Sequence, residues 1–190
     1  MATASLIFIT GGVRSGKSSF AEKIALELAL ENRVHLNYLA TGVAIDQEMI
    51  ERIEKHQNDR ESGMYLWRTF EQSQNIGEAA AFFNGDDIIL LDCVTTLLNN
   101  ELFSANQKWD ESFLTQVIEN IMTGIDKIRE RVKGLIVVSN DVFHESMVES
   151  DLVFTYGRTL GKIHQQLVKS ADQAFLVEAG IPINMKGVRI

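Results

Sequence analysis

Leu6-Ile7-Phe8-Ile9-Thr10-Gly11-Gly12-Val13-Arg14-Ser15-Gly16-Lys17-Ser18 is the stretch that decides the fold. A short apolar run ends in two glycines, and Gly11 to Ser18 matches G-x-x-x-x-G-K-[ST] in full. The run before the glycines reads as a buried parallel strand. Ser18 to about Glu31 reads as a helix, with Phe20, Ile24, Ala25 and Leu28 spaced for one buried face. Strand, glycine loop and helix in that order give the motif its meaning. Gly11, Gly12 and Gly16 let the backbone wrap, so that N–H groups from Gly11 through Val13, Arg14 and Ser15 can converge on phosphate oxygens. The helix that follows adds the positive end of its dipole. Lys17 supplies a point charge for the phosphates, and the Ser18 hydroxyl is a ligand for Mg²⁺.

Working outward, the same alternation continues. Val34 to Ala40 reads as a second strand. Asp46 caps an expected helix through Gln47–Asp59. Leu66 to Thr69 reads as a short strand and Ile76–Phe83 as a short helix. Ile88-Ile89-Leu90-Leu91 is a buried strand ending in Asp92, and Thr95–Phe103 reads as helical. Asp110 opens a long amphipathic helix with Phe113, Leu114, Val117, Ile118, Ile121, Ile125, Ile128 and Val132 on one stripe. Leu135-Ile136-Val137-Val138 is the next buried strand and ends in Ser139-Asn140-Asp141. Tyr156, Leu160, Ile163 and Leu167 mark a further helix, with late strands at Ala174–Glu178 and Ile183–Lys186. Strands alternating with helices predict one α/β domain over residues 1–190, with a mostly parallel P-loop NTPase-like sheet covered on both faces. Ligands in such folds bind at the carboxyl ends of the strands. Asp92, at one such end, is placed to complete a Mg²⁺ site opposite the glycine loop.

Composition narrows the function. Of 190 residues, 18 are Lys or Arg and 26 are Asp or Glu, a formal net charge of −8. That balance argues against a general nucleic-acid binder, which needs a basic surface. Phosphate chemistry must then sit in a local positive pocket. No apolar run approaches the roughly 18 residues of a membrane helix, and residues 1–10 lack the basic start of a signal peptide. Cys93 is the only cysteine, which excludes an intrachain disulfide and points to a reducing cytoplasm. It follows a buried strand and reads as an inert buried thiol. Trp109, Met122 and the phenylalanines read as core. Arg158, Lys162, Gln165, Gln166 and Lys169 read as a solvated helix face.

The four histidines, His35, His56, His144 and His164, form no ligand pair. His56 follows Ile53 by three residues and Met49 by seven, on the apolar stripe of its expected helix. Two readings stay open for it. It is either a half-buried core histidine or, with Arg52, Lys55 and Arg60 nearby to hold phosphates, a nucleophile. Neighbouring cations favour the neutral, nucleophilic imidazole.

Taken together, these residues resemble the bifunctional adenosylcobinamide kinase / adenosylcobinamide-phosphate guanylyltransferase family of cobalamin biosynthesis. Ile9 to Ser18 is similar to its loop wording T-G-G-x-R-S-G-K-S, and Tyr38-Leu39-Ala40-Thr41 to its second strand end. Asp46 to Met49, Arg52 to His56 and Arg60 follow D-x-E-M…R-I-x-x-H…R, and Trp67 to Glu71 resembles W-R-T-x-E. Later matches fall at Leu90–Thr96, Val138–Val142, Gly161–Leu167, Ala171-Asp172 and Gly180-Ile181-Pro182. The chain departs from the family at Asp92 and Asp141, where Glu is common.

The resemblance implies a transferase with His56 and Lys17 as catalytic residues and Mg²⁺ as cofactor, held by Ser18 and Asp92. It implies nucleotide contacts at Gly11, Gly12, Val13, Arg14, Ser15, Gly16, Lys17, Ser18, Ala40, Thr41, Gln57, Asn58, Asp59, Arg60, Glu71 and Asp92. GTP, with ATP as a further phosphate donor, and a corrinoid are the implied small-molecule substrates, and a homotrimer the implied assembly. Two other readings compete: a P-loop small-molecule kinase without a covalent step, and a non-catalytic nucleotide-binding regulatory module.

Overall fold

The apolar runs found in the sequence become the centre of one sheet. In a computed structural model that describes residues 4–42, 65–104, 107–141 and 151–187, β1 (Ser5–Gly11), β4 (Asp87–Asp92) and β5 (Gly134–Asn140) are buried over nearly their whole length. They are joined by β2 (His35–Ala40), β3 (Trp67–Glu71), β6 (Gln173–Glu178) and β7 (Ile181–Lys186). The order across the sheet is β3-β2-β4-β5-β1-β6-β7. Every pairing is parallel except the last, where β7 returns antiparallel to β6. Ala179 (φ 48°) and Gly180 (φ 81°) make that reversal, as a two-residue hairpin turn requires.

Period-2 alternation assigns each strand residue to one of two cores. Leu6, Phe8, Leu39, Ile89, Leu91, Leu135 and Val137 face α2 (Val94–Ser104), α3 (Glu111–Arg129) and α4 (Asp151–Ser170). Ile7, Ile9, Leu36, Tyr38, Ile88, Leu90, Ile136 and Val138 face α1 (Lys17–Asn32) and its Ala21, Ile24, Ala25 and Ala29. Each such side chain, fully buried, contributes about 1.5–3 kcal/mol of transfer free energy. The expected α/β sheet, covered on both faces, is the observed fold.

Several expectations are corrected in detail. The segment Ile76–Phe82 is a 3₁₀ helix, the tighter geometry that short helical pieces adopt. Helix α3 ends at Arg129, and Val132 reaches the same core from the turn beyond. Phe82, Phe103 and Phe154 are exposed, not core. Phe82 stacks on Phe70 and Phe103 packs edge-on against Trp109, so each has one covered side and one open side. The expected helix at 47–59 lies outside the described residues.

Helix ends follow the sequence more closely. Asp110 caps α3 by accepting a hydrogen bond from Phe113 N–H at 2.8 Å, and Lys127 and Arg129 sit at its negative end. The carboxyl end of α4 is closed from a distance, by Lys186 Nζ donating to the carbonyls of Val168, Lys169 and Ala171.

Candidate active site

Because β1, β2, β3, β4 and β5 are parallel, the loops that follow them leave from one edge of the sheet, where the chemistry-bearing residues collect. Gly11 to Ser18 turns from β1 into α1. Gly16 is the N-cap of α1 at φ 90°, a left-handed conformation that glycine adopts without strain, and no side chain caps the helix there. The first-turn N–H groups of α1 therefore have no side-chain cap, which is the arrangement that receives an anion. Ser15 N–H donates to Gly12 O at 3.2 Å and Lys17 Nζ to the same carbonyl at 2.9 Å, folding the lysine back over its own loop. Arg14 takes a positive φ of 59° at the loop tip, and it and Val13 are exposed.

Two neighbours brace this loop from outside. Asp141 N–H donates to Gly11 O at 2.8 Å, and Gly180 N–H donates to Ser15 O at 2.8 Å. The packing is close enough to demand glycine at position 11, where a Cβ would collide with the carbonyl oxygen of Val177 and sit 2.7 Å from Ser15 Oγ. The Ser15 and Thr10 hydroxyl oxygens are buried and have no hydrogen-bond partner among the described residues. Buried hydroxyls without partners are uncommon, and here both lie on or beside the phosphate loop.

Asp92 ends β4, which β5 separates from β1. Its Oδ2 accepts a hydrogen bond from the Tyr38 hydroxyl at 3.0 Å, so β2 orients the carboxylate. Ala40 and Thr41 stand at the end of β2. Thr41 is fully buried, and its hydroxyl both donates to Cys93 O at 2.8 Å and accepts from Cys93 N–H at 2.9 Å. Its side chain thus ties β2 to the start of α2. Glu71 ends β3, exposed, at the edge of the sheet. With strands about 4.8 Å apart, Glu71 stands roughly 19 Å from the loop-bearing strand and Asp92 roughly 10 Å. Asp92 is thus within reach of a phosphate chain held by the loop, and Glu71 only of the far end of a longer ligand. His56, Gln57, Asn58, Asp59 and Arg60 lie outside the described residues.

Cys93 is buried, and that burial, with Asp92 beside it, pushes its thiol pKa up. Its Sγ lies 3.2 Å from Thr96 Oγ1. A thiol held protonated in this way is no nucleophile at neutral pH.

The sequence reading missed one group. Thr95 Oγ1 lies 3.0 Å from Ser139 Oγ and accepts from Asn140 N–H at 2.8 Å; Ser139 Oγ lies 2.7 Å from His164 Nε2. Tyr156 donates its hydroxyl to Thr95 O at 2.9 Å. Burial lowers the His164 pKa to about 4, with Asp141 pulling weakly the other way, and burial raises that of Tyr156. The signals were Ser139 at a strand end and the family match at Gly161–Leu167, which includes His164; neither put the two side chains together.

No cluster of three or more His, Cys, Asp or Glu side chains that could hold a metal occurs among the described residues. Among the described residues, the Ser18 hydroxyl on the loop and the Asp92 carboxylate at the end of β4 are the donors that would hold a cation against phosphates on the loop. Both are hard oxygen ligands. They suit Mg²⁺, which takes few protein oxygens and fills its shell with phosphate and water. No helix among the described residues is long and apolar enough to cross a membrane.

Comparison with known proteins shows the family. A family model described as cobinamide kinase / cobinamide phosphate guanyltransferase matches residues 7–185. The bifunctional adenosylcobalamin biosynthesis protein CobU of Escherichia coli (strain K12) is 32% identical, over 95% of this chain and 99% of that protein. CobU of Salmonella typhimurium is 30% identical over the same shares. The bifunctional adenosylcobalamin biosynthesis protein CobP of Pseudomonas aeruginosa is 29% identical over 94% of this chain and 96% of that protein. With nearly its whole length matched, glycine loop included, the chain belongs to the cobinamide kinase / cobinamide phosphate guanyltransferase family.

Proposed function

We propose that this chain is a bifunctional transferase of cobalamin biosynthesis. In the first reaction the terminal phosphoryl group of a nucleoside triphosphate passes to the aminopropanol hydroxyl of adenosylcobinamide. In the second, His56 attacks the α-phosphorus of GTP, the bond to the bridging oxygen breaks, and pyrophosphate leaves. An oxygen of the cobinamide phosphate then attacks the same phosphorus and displaces the histidine, giving adenosylcobinamide-GDP. The covalent step divides one difficult transfer into two in-line displacements.

The observation that carries this reading is the uncapped start of α1 at Gly16, inside a full G-x-x-x-x-G-K-[ST] loop. The loop N–H groups, the helix dipole and Lys17 face a phosphate chain with fixed positive charge, and such preorganised charge is what stabilises a transferring phosphoryl group. Mg²⁺, held by Ser18 and Asp92, would neutralise charge on the phosphates and the leaving pyrophosphate. Tyr38 keeps the Asp92 carboxylate aimed by donating to its Oδ2. Gln57 to Arg60, Ala40, Thr41 and Glu71 belong in this reading to the guanosine end of the ligand. A homotrimer working in the cytoplasm completes it.

The test is incubation with Mg²⁺ and α-³²P-labelled GTP without cobinamide, followed by denaturing electrophoresis. We expect label retained on the protein, labile to acid, stable to base, and absent in His56→Ala; γ-labelled GTP should leave none. No retained α-label would contradict the covalent step. A parallel assay of adenosylcobinamide phosphorylation then separates a plain kinase from a protein that only binds nucleotide.

A further inference from the structure

The phosphate loop is tied, through the end of β5, to a part-buried chain of hydrogen bonds that none of the proposed steps uses. The chain crosses three elements. Thr95 lies in the first turn of α2, Ser139 and Asn140 end β5, and His164 comes from the middle of α4. The hydroxyl oxygens of Thr95 and Ser139 are 3.0 Å apart, and Ser139 Oγ is 2.7 Å from His164 Nε2.

The direction of the chain follows from counting protons. Thr95 Oγ1 accepts from Asn140 N–H at 2.8 Å. If Ser139 also donated to Thr95, the Thr95 hydroxyl proton would have no acceptor among the described residues. Every proton is used in one arrangement: Asn140 N–H donates to Thr95, Thr95 to Ser139, and Ser139 to His164 Nε2. The imidazole must then be neutral, with its proton on Nδ1. Burial, which lowers the His164 pKa to about 4, keeps it so at neutral pH. The Phe8 ring, with its centroid 5.2 Å away, limits how the imidazole can turn.

This chain ends where transfer would occur. β5 lies between β1, which carries the loop, and β4, which carries Asp92. Its last residues therefore sit between the phosphate loop and the carboxylate. Asp141 N–H, one residue beyond the network, donates to Gly11 O at 2.8 Å. Ser139 pairs in register with Thr10, whose buried hydroxyl has no partner among the described residues. On β1 and β5 the alternation places Thr10 with Leu6 and Phe8, and Ser139 with Leu135 and Val137, on the face that α4 covers.

We propose that His164 is a positioning residue for phosphoryl transfer: as the acceptor for Ser139 it orders the Ser139 and Thr95 hydroxyls, and through them the Asn140–Asp141 backbone that holds the entry of the phosphate loop. This role rests on the loop's being the nucleoside triphosphate site. His164 touches no substrate in this account; it fixes a backbone segment on which the reacting groups depend.

The test compares His164→Leu, His164→Gln, Ser139→Ala and the Ser139→Ala/His164→Leu double variant in adenosylcobinamide phosphorylation. His164→Leu and Ser139→Ala should each lower kcat about tenfold, the size of one lost hydrogen bond at the reacting geometry. The nucleotide KM should stay within about twofold. The double variant should be no worse than either single one, because both break the same chain. His164→Gln, whose amide oxygen can accept in place of Nε2, should recover most of the rate. An unchanged kcat in His164→Leu, additive losses in the double variant, or no recovery with Gln would each overturn the proposal. A purely structural role predicts a fall in Tm with kcat per folded molecule intact.

Imidazole ¹⁵N spectra separate this from failure of the functional reading, with His164→Gln assigning the resonance. At pH 7 we expect an unprotonated Nε2 that shifts when Mg²⁺ and a non-hydrolysable GTP analogue are added, whatever the protein turns over. A protonated Nε2, or no shift on saturation, would overturn the coupling.

Discussion

The two ends of the sheet are built from the same strands and treat polar groups in opposite ways. At the amino ends the charged groups are matched internally, although Gln173 Oε1, at the start of β6, is buried without a partner among the described residues. Asp87, almost fully buried, accepts from Asn84 N–H at 2.8 Å and from Asn37 Nδ2 at 2.9 Å, with His35 Nδ1 3.5 Å away. Asp172 accepts from Leu6 N–H and from Arg129, while Arg129 also donates to the carbonyls of Ala4 and Ser170. At the carboxyl ends the matching is incomplete: α1 begins without a side-chain cap, and the Thr10 and Ser15 hydroxyls have no partner among the described residues. A closed network stabilises the fold. In the proposed function, the open set of donors at α1 is the surface that receives the phosphates.

The largest effect that can break this comparison is at Lys17. Lys17→Ala should reduce nucleoside triphosphate turnover by about 10²–10³, the scale of losing one charged group at a transferring phosphate. A rate within tenfold of wild type would place the phosphates elsewhere. At the closed end, Asp87→Ala leaves the Asn84 N–H without its acceptor and the Asn37 amide with only the 3.4 Å bond to Ile88 O, and should cost about 3 kcal/mol in urea unfolding, with nucleotide affinity unchanged. A lowered affinity in the folded variant would show that the two ends are not independent.

A smaller effect lies in pH. His164 has its folded pKa near 4, below the unfolded value near 6.5. Between those values the unfolded chain binds more protons than the native one, so stability rises with pH across the window and is lost on acidification. Lowering the pH from 8 to 5 should cost about 2 kcal/mol through this group. The difference in unfolding free energy between the two pH values should shrink by that amount in His164→Gln. An equal difference in both proteins would mean that the imidazole is not held neutral.

The smallest effect sharpens the contrast between two helix starts. Asp110→Ala should cost about 1 kcal/mol of stability and leave nucleotide binding untouched, because the α3 cap is closed by its own side chain. A change in nucleotide affinity would undo the distinction between a capped helix start and a ligand-binding one.

What the sequence made legible was local. The loop from Gly11 to Ser18, the strands ending at Gly11, Asp92 and Asn140, and the Asp110 cap all depend on residues within one turn or one strand of each other. The insertion of β5 between β1 and β4 was not legible, since strand order is set by packing across the whole chain. The antiparallel β7 turned on the positive φ values at Ala179 and Gly180, and only the glycine advertises such a conformation. The Ser139–His164 and Thr95–Ser139 contacts join residues 25 and 44 positions apart, beyond any spacing rule. The two hydrogen bonds by which Thr41 holds β2 to α2 through Cys93 were likewise not legible, because they join residues 52 positions apart. A motif identifies the residues present at a strand end, and the neighbouring backbone decides how each is used.

The most direct test of the central claim is calorimetric titration of Mg²⁺ and a non-hydrolysable GTP analogue into wild type, Lys17→Ala and Asp87→Ala. The open carboxyl end predicts binding to wild type, equal affinity in folded Asp87→Ala, and at least a tenfold loss in Lys17→Ala. Equal affinity in Lys17→Ala and wild type would contradict the assignment of the loop as the phosphate site.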